Sequence, residues 1–510
     1  MGQTTLILMI LTVISKIFGF VRESVMAAYI GAGDLKSIYT TAMTIPNMLT
    51  GIIVTGILSA YIPVYNKALN EKGEKRAKYF TSNLINILMI YGAVAVVFVI
   101  IFARPLSILF SPKLSGESLE IAVNFTRIMS FSIFAYLSSS VIRGYLNIKG
   151  NFVEPIVVIF ILNILIIIST ILTGNIGNPY ILIVGTLLAQ IFQFIRFPSV
   201  SRRLGYSHEK VVDFKDPYFK SLMIIMLPII ISSAADQLSF MIDNSMASAF
   251  FGVKSVSKVF YAKTMLNFIM GVVTMTVATV SFPDIARLGQ DGDIDGMKES
   301  VSSSIITSML LVIPATFGMM ALANPIIQLA FERRAFTASD TAIVSSLLIS
   351  YGPYIIFASV IKIISNGFYS IGDAKTPVRI VLTQQIVNVI MNFILIKLFG
   401  IDGLGYATSL STFLGSLLLV LSFSKKIGNY KDKNLIISII KITLLSLLIS
   451  TLAKNIYGYL FNNYSLIISL FISVAIAGLV FIVLILLVKI PELDDLRNSI
   501  KNKLRKNKWE

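Results

Sequence analysis

The sequence predicts an all-α polytopic membrane protein. It reads as fourteen transmembrane helices: two six-helix lobes related by a parallel repeat, plus a C-terminal helix pair. Three observations predict this. Of the 510 residues 55% are hydrophobic and only 14% charged, against about 25% charged in soluble domains, and the mean hydropathy is +0.83. Apolar stretches long enough to cross a bilayer recur along the whole chain. Landmark residues of the first half also return in the second.

Taken in order, the spans fall near 5–30, 37–65, 79–103, 120–148, 153–173, 178–200, 218–250, 256–286, 299–323, 340–370, 377–399, 403–424, 434–457 and 464–489. The first has no Lys or Arg before Lys16 and no small-residue cleavage site, so it is expected to be retained rather than removed as a signal peptide. Most of the 43 Lys and Arg residues lie in alternate connections: 67–78, 143–149, 196–220, 287–298, 375–379, 425–433 and the tail after Lys489. Cytoplasmic loops carry that excess, so both termini are expected in the cytoplasm. The tail, with Arg497, Lys501, Lys503, Arg505, Lys506 and Lys508, suits either attraction to anionic membrane lipids or a solvated flank.

The repeat has an offset near 220 residues. Gly31, Asn47, Gly51 and Pro63 are matched by Gly252, Asn267, Gly271 and Pro283, and Ala103-Arg104-Pro105 by Ala323-Asn324-Pro325. Arg143-Gly144-Tyr145 and then Pro155 are matched by Asn366-Gly367-Phe368 and then Pro377. A unit of six spans keeps both copies in the same orientation, hence a parallel repeat about the membrane normal. The expected organisation is an N-terminal lobe at 1–210, a C-terminal lobe at 211–428, an appended pair at 429–490 and a basic tail at 491–510.

Several function classes find no support. Cysteine is absent, which removes thiol nucleophiles and thiolate metal sites. The single histidine, His208, lies among Arg202, Arg203, Glu209 and Lys210, where a solvated role is expected. Neither a G-x-x-x-x-G-K-[ST] loop nor H-E-x-x-H occurs, so nucleotide or zinc hydrolysis has no visible site. The net charge of +17 sits mostly between apolar spans, which speaks against a nucleic-acid partner.

The residues that stand out are charges inside spans. Lys16, Arg22 and Glu23 occupy the first span, where each charge near the bilayer centre costs about 2.5–3.5 kcal/mol. A helix groups Ser15, Gly19, Arg22 and Met26 on one stripe and Lys16 with Glu23 on the next. They face a cavity, or Arg22 and Glu23 pair near a helix end and snorkel to the interface. Asp236, Asp243 and Lys263 lie in the seventh and eighth spans, and Arg127, Lys362 and Lys441 within others. Arg22, Lys16 and Lys263 together would form a cationic cavity suited to a diphosphate. Asn388 and Asn392, with Asp243 and Thr408, offer oxygens for a hard monovalent cation; Asn pairs also serve as packing glue between membrane helices.

The runs Gly19-Phe20-Val21-Arg22-Glu23, Gly31-Ala32-Gly33 and Ile45-Pro46-Asn47 resemble the opening of the MurJ (MviN) family of lipid II flippases, in the multidrug/oligosaccharidyl-lipid/polysaccharide exporter superfamily. So do Phe331-Glu332-Arg333-Arg334-Ala335-Phe336-Thr337, Gly367-Phe368-Tyr369, Gly372-Asp373-Ala374-Lys375-Thr376-Pro377 and Gly403-Leu404-Gly405-Tyr406-Ala407-Thr408-Ser409. The resemblance covers about residues 5 to 420. It implies transport of lipid II, or a related undecaprenyl-diphosphate glycan, from the inner to the outer leaflet of the bacterial cytoplasmic membrane. Alternating access between the lobes would carry it, with no catalytic residue, no resident cofactor, and coupling to Na+ or the membrane potential. Wall-synthesis proteins are further expected partners.

By position, Arg22 matches the family's first-span arginine, Glu23 replaces its usual aspartate, and Lys16 stands where an arginine is common. Asp243, Asn388, Asn392 and Thr408 resemble the family's sodium site. The sequence departs from the pattern where Thr50 and Gly51 replace an arginine pair and where Thr264 holds an arginine position, with the charge displaced to Lys263. The expected substrate set is Arg22, Lys16, Glu23, Lys263, Thr50 and Thr264. Three rival readings are a flippase for another polyprenyl-linked glycan, a cation-coupled exporter of small amphiphiles, and a non-transporting scaffold for wall-synthesis proteins.

Overall fold

The computed structural model describes residues 2–272, 274–428 and 433–488, and among them every regular element is an α-helix. The basic tail, from Lys489 through Lys508, lies outside the described residues. In lipid a backbone amide has no water to bond, so apolar runs close their hydrogen bonds within the segment. The helices are α1 (Gly2–Ile30), α2 (Asp34–Phe110), α3 (Gly116–Ser130), α4 (Ser132–Ile148), α5 (Val153–Ile176), α6 (Tyr180–Arg203), α7 (Pro217–Phe251) and α8 (Lys254–Val272). They continue with α9 (Thr274–Gln290), α10 (Ile294–Ala321), α11 (Ala323–Phe331), α12 (Ala338–Ser370), α13 (Lys375–Phe399), α14 (Asp402–Ile427), α15 (Lys433–Phe461) and α16 (Leu466–Leu487).

Ten helices among the described residues are long and apolar enough to cross a membrane. That number takes α2 once, although α2 covers two of the expected spans. At Gly73 the backbone turns to φ 77°, ψ 176°, and the two arms lie side by side. The Tyr61 ring stacks 5.9 Å from Phe80, its hydroxyl is 2.7 Å from Thr81 Oγ1, and Tyr91 donates to the Leu49 carbonyl at 3.2 Å. In one straight helix residues 61 and 80 would stand about 28 Å apart at 1.5 Å per residue. Glycine occupies this turn because a left-handed φ costs it little.

The chain resolves into two compact units, Met1–Tyr261 with Phe331–Asp340, and Ala262–Ala330 with Thr341–Glu510. The first centres on buried aromatics of α2 and α4: Tyr61, Tyr65, Phe80 and Tyr145. The start of α7 packs there through Tyr218, Leu222 and Met226. Asp216 caps α7, accepting from the Tyr218 and Phe219 amides at 2.7 and 3.1 Å and from Arg76 Nη2 at 2.5 Å. The segment 331–340, from the last residue of α11 into the start of α12, also packs in this unit. Phe331 and Phe336 sit 4.9 and 5.4 Å from the Tyr261 ring, and the Ala335 amide donates to the Ala28 carbonyl at 3.1 Å.

The second unit has its own core, from Met297, Ile305 and Met309 of α10, Phe368 of α12, Phe423 of α14, Ile442 of α15 and Phe481 of α16. Apolar side chains also point outward along the spans: Val94 is 65% exposed, Ile224 74% and Leu479 65%. Such surface is a liability in water and the expected coat of a protein solvated by lipid. Arg127, placed inside a span from the sequence, lies at the end of α3 and is exposed, with Nε donating to the Ile100 carbonyl at 3.4 Å.

Candidate functional site

Two of the first-span charges, Arg22 and Glu23, fold into one cluster with two residues from other helices. Glu23 is buried, 4% exposed, and its two carboxylate oxygens serve different cations. Oε1 accepts from Arg22 Nη2 at 2.7 Å and Nε at 3.1 Å, whereas Oε2 accepts from Lys36 Nζ at 2.8 Å. Arg22 Nη1 reaches across to Asn163 Oδ1 on α5 at 3.1 Å. Two cations against one anion leave the cluster formally +1. Cost accompanies this arrangement, because charges taken out of water lose hydration that only close partners offset; breaking such a pair by removing one member costs about 3–5 kcal/mol.

Lys36 is wholly buried. Its ammonium lies 4.3 Å from the centre of the Phe260 ring, 5.1 Å from Tyr261 and 5.4 Å from Tyr39, and 2.9 Å from Met26 Sδ. Ring faces carry negative electrostatic potential and partly replace lost water. The pairing of Arg22 with Glu23, one part of the alternative reading, is present in this geometry, with Glu23 buried, and the pair is tied into the helix packing through Lys36 and Asn163. Sequence reasoning missed both. Lys36 falls just before the second span as drawn and reads as a loop charge, while Asn163 is a single amide inside the apolar run Ile159–Ile168.

Lys16 lies about two turns before Glu23 on α1, half-buried, and has no ion-pair partner among the described residues. Thr50 is buried, and its hydroxyl donates to the Pro46 carbonyl at 2.8 Å, which commits its proton within α2. Lys263 and Thr264 belong to the part of α8 in the second unit; Lys263 Nζ stands 5.3 Å over the Tyr351 ring.

Of the expected ion-binding residues, three are linked in the second unit. Asn388 Nδ2 donates to Thr408 Oγ1 at 3.2 Å, Asn392 Nδ2 to Asn388 Oδ1 at 3.4 Å, and Thr408 Oγ1 to the Leu404 carbonyl at 3.0 Å. These hydroxyl and amide groups are the oxygen donors a hard cation takes. Asp243 is buried on α7 in the first unit; the side chain of Asp236 lies outside the described residues. Among the described residues no group of three or more His, Asp or Glu could hold a metal. His208 is exposed, as expected, with Nδ1 3.1 Å from the Tyr206 hydroxyl. Partial burial and then Arg202 push its pKa down.

Comparison with known proteins follows from this geometry. The family model described as "Lipid II flippase MurJ" matches residues 26–475, beginning just after Glu23. A probable lipid II flippase MurJ of Rickettsia prowazekii (strain Madrid E) is 29% identical over 478 residues, covering 91% of this chain and 93% of that protein. The protein of the same name from Vibrio cholerae serotype O1 is 27% identical, with 82% of each chain covered. Among solved structures, "Lipid II flippase MurJ, inward closed conformation" superposes with a TM-score of 0.79 at 24% identity, over 96% of this chain and 99% of that one. An inward-facing multidrug resistance MATE transporter of the MOP superfamily reaches 0.68 at 14% identity, over 82% and 96%. The structural likenesses show that the fold is shared with these transporters, and the family match over most of the sequence decides the rest: the chain belongs to the lipid II flippase MurJ family.

Proposed function

We propose that this chain moves lipid II, an undecaprenyl-diphosphate-linked sugar precursor, from the inner to the outer leaflet of the bacterial cytoplasmic membrane by alternating access. The work is transport, without bond making or breaking. The observation that carries the reading is the net-cationic Arg22–Glu23–Lys36 cluster, held within apolar helices in a member of this family. Arg22 has five N–H donors and spends three on Glu23 and Asn163; the remaining two suit phosphate oxygens. Lys16, Glu23 and Thr50, with Lys263 and Thr264, complete the headgroup set.

The proposed architecture is fourteen spans with both termini cytoplasmic: lobes at 1–210 and 211–428, a helix pair at 429–490 and a basic tail at 491–510. Support for a repeat comes from the landmark Gly, Asn and Pro residues that recur about 220 positions apart in the sequence. Asn388, Asn392, Thr408 and Asp243 form the proposed Na+ set, and a sodium gradient or the membrane potential returns the protein to its starting state.

One observation favours a second reading, a different polyprenyl-diphosphate glycan. Thr50 and Thr264 replace arginines, and the Thr50 proton is already committed to Pro46. Complementation decides between them. Expressed in cells depleted of their own lipid II flippase, the native chain is expected to restore growth, and Arg22→Ala, present at equal level, is not. If the native chain is well expressed and restores nothing, lipid II is the wrong substrate and other undecaprenyl-linked glycans come first.

A further inference from the structure

We propose that Lys36 is a positioning residue for headgroup binding: by pairing with Glu23 Oε2 it offsets the carboxylate beside Arg22 and keeps net positive charge at the guanidinium available to an anionic oxygen. This rests on the reading of Arg22 as a phosphate ligand. A carboxylate beside a single guanidinium neutralises it. Here the carboxylate is shared between two cations: Oε1 takes Arg22 Nε and Nη2, and Oε2 takes the Lys36 ammonium.

The placement of Lys36 excludes a direct role in the ligand's path. It is wholly buried, walled by the Phe260, Tyr261 and Tyr39 rings and by Met26, and Glu23 is its ion-pair partner. Arg22, by contrast, retains 30% of its side-chain exposure. Lys36 therefore acts on a ligand through Glu23. With Lys36 neutral, Arg22 and Glu23 would cancel each other's charge, and the cluster would offer an anion no net attraction.

The test is a double-mutant cycle on the full chain, reading the affinity of purified protein for lipid II in detergent, with melting temperature measured alongside. Lys36→Met is expected to weaken binding about tenfold, a coupling typical of groups in direct contact. Adding Glu23→Gln to it restores the native net charge of the cluster, so the double variant is expected to recover most of that loss. A purely structural role would lower the melting temperature without such recovery. The inference is overturned if Lys36→Met binds as the native protein does, or if the double variant binds no better than Lys36→Met. Should Lys36→Met not fold, Glu23→Gln with and without Lys36→Met decides: a difference under about threefold supports action through Glu23, and one of about tenfold in that background contradicts it. Arg22→Ala separates the two readings. Native affinity there removes the Arg22 assignment itself; lost affinity there beside native affinity in Lys36→Met removes only the role of Lys36.

Discussion

A single backbone position shows how tightly the first unit is tied together. Gly31 ends α1 at φ +74°, and a Cβ built on it would lie 2.6 Å from the Ala335 carbonyl oxygen. Gly33, two residues on, has φ −92° and open space around it. Gly31→Ala is therefore expected to destabilise the protein by about 2 kcal/mol or more, from the left-handed φ and the backbone clash together. Gly33→Ala should be close to neutral. Thermal unfolding of the two purified variants checks the difference, and equal melting temperatures would contradict the close approach. The Gly31-Ala32-Gly33 motif was legible in the sequence, but its reason was not, since Ala335 arrives from far along the chain. The same holds in the charged cluster. Arg22 and Glu23 were conspicuous as charges in an apolar run, whereas Lys36 and Asn163 join them only through helix packing.

Helices meet their connections through charged groups outside the membrane. Between α12 and α13, Asp373 accepts from the amides of Lys375 and Thr376 at 3.1 and 3.0 Å and from the Thr376 hydroxyl at 2.8 Å, and it pairs with Lys426 at the end of α14. Burial alone would raise the Asp373 carboxyl; the Lys426 and Thr376 hydrogen bonds outweigh it and bring the pKa down to about 2. An unfolded aspartate titrates near 3.9. Its contribution is thus full above about pH 4 and is lost as pH falls through about 2. The melting-temperature advantage of the native chain over Asp373→Asn should be constant near neutrality and shrink below pH 4; an advantage that grows on acidification would refute the assignment. Among the described residues each apolar run read from the sequence lies mainly on helix, because length and hydropathy suffice for that. What periodicity did not give was the continuity of α2 through its charged tip at 67–78. That stretch is polar enough to read as a loop, yet it stays helical on both sides of Gly73.

Over the whole molecule, the alternation of basic connections is the basis of the proposed orientation, and the absence of cysteine makes it directly measurable. In intact cells, a single cysteine at the exposed Lys75 should resist a membrane-impermeant thiol reagent, and one at the exposed Ser115 should react. The reverse pattern would invert the proposed topology. Fold class and family were readable at this scale because they rest on many weak, distributed signals, among them apolar spans, a repeat and several short motifs. Site chemistry was less readable, because partners such as Glu23 with Lys36 depend on side chains brought together by packing. The central claim, that this chain flips lipid II through Arg22, is met most directly by reconstitution. Purified native and Arg22→Ala proteins would be placed in vesicles loaded with lipid II in the inner leaflet, and its appearance outside followed with an impermeant probe. The account predicts translocation by the native chain and a loss of at least about tenfold in Arg22→Ala. Equal translocation by both would contradict it.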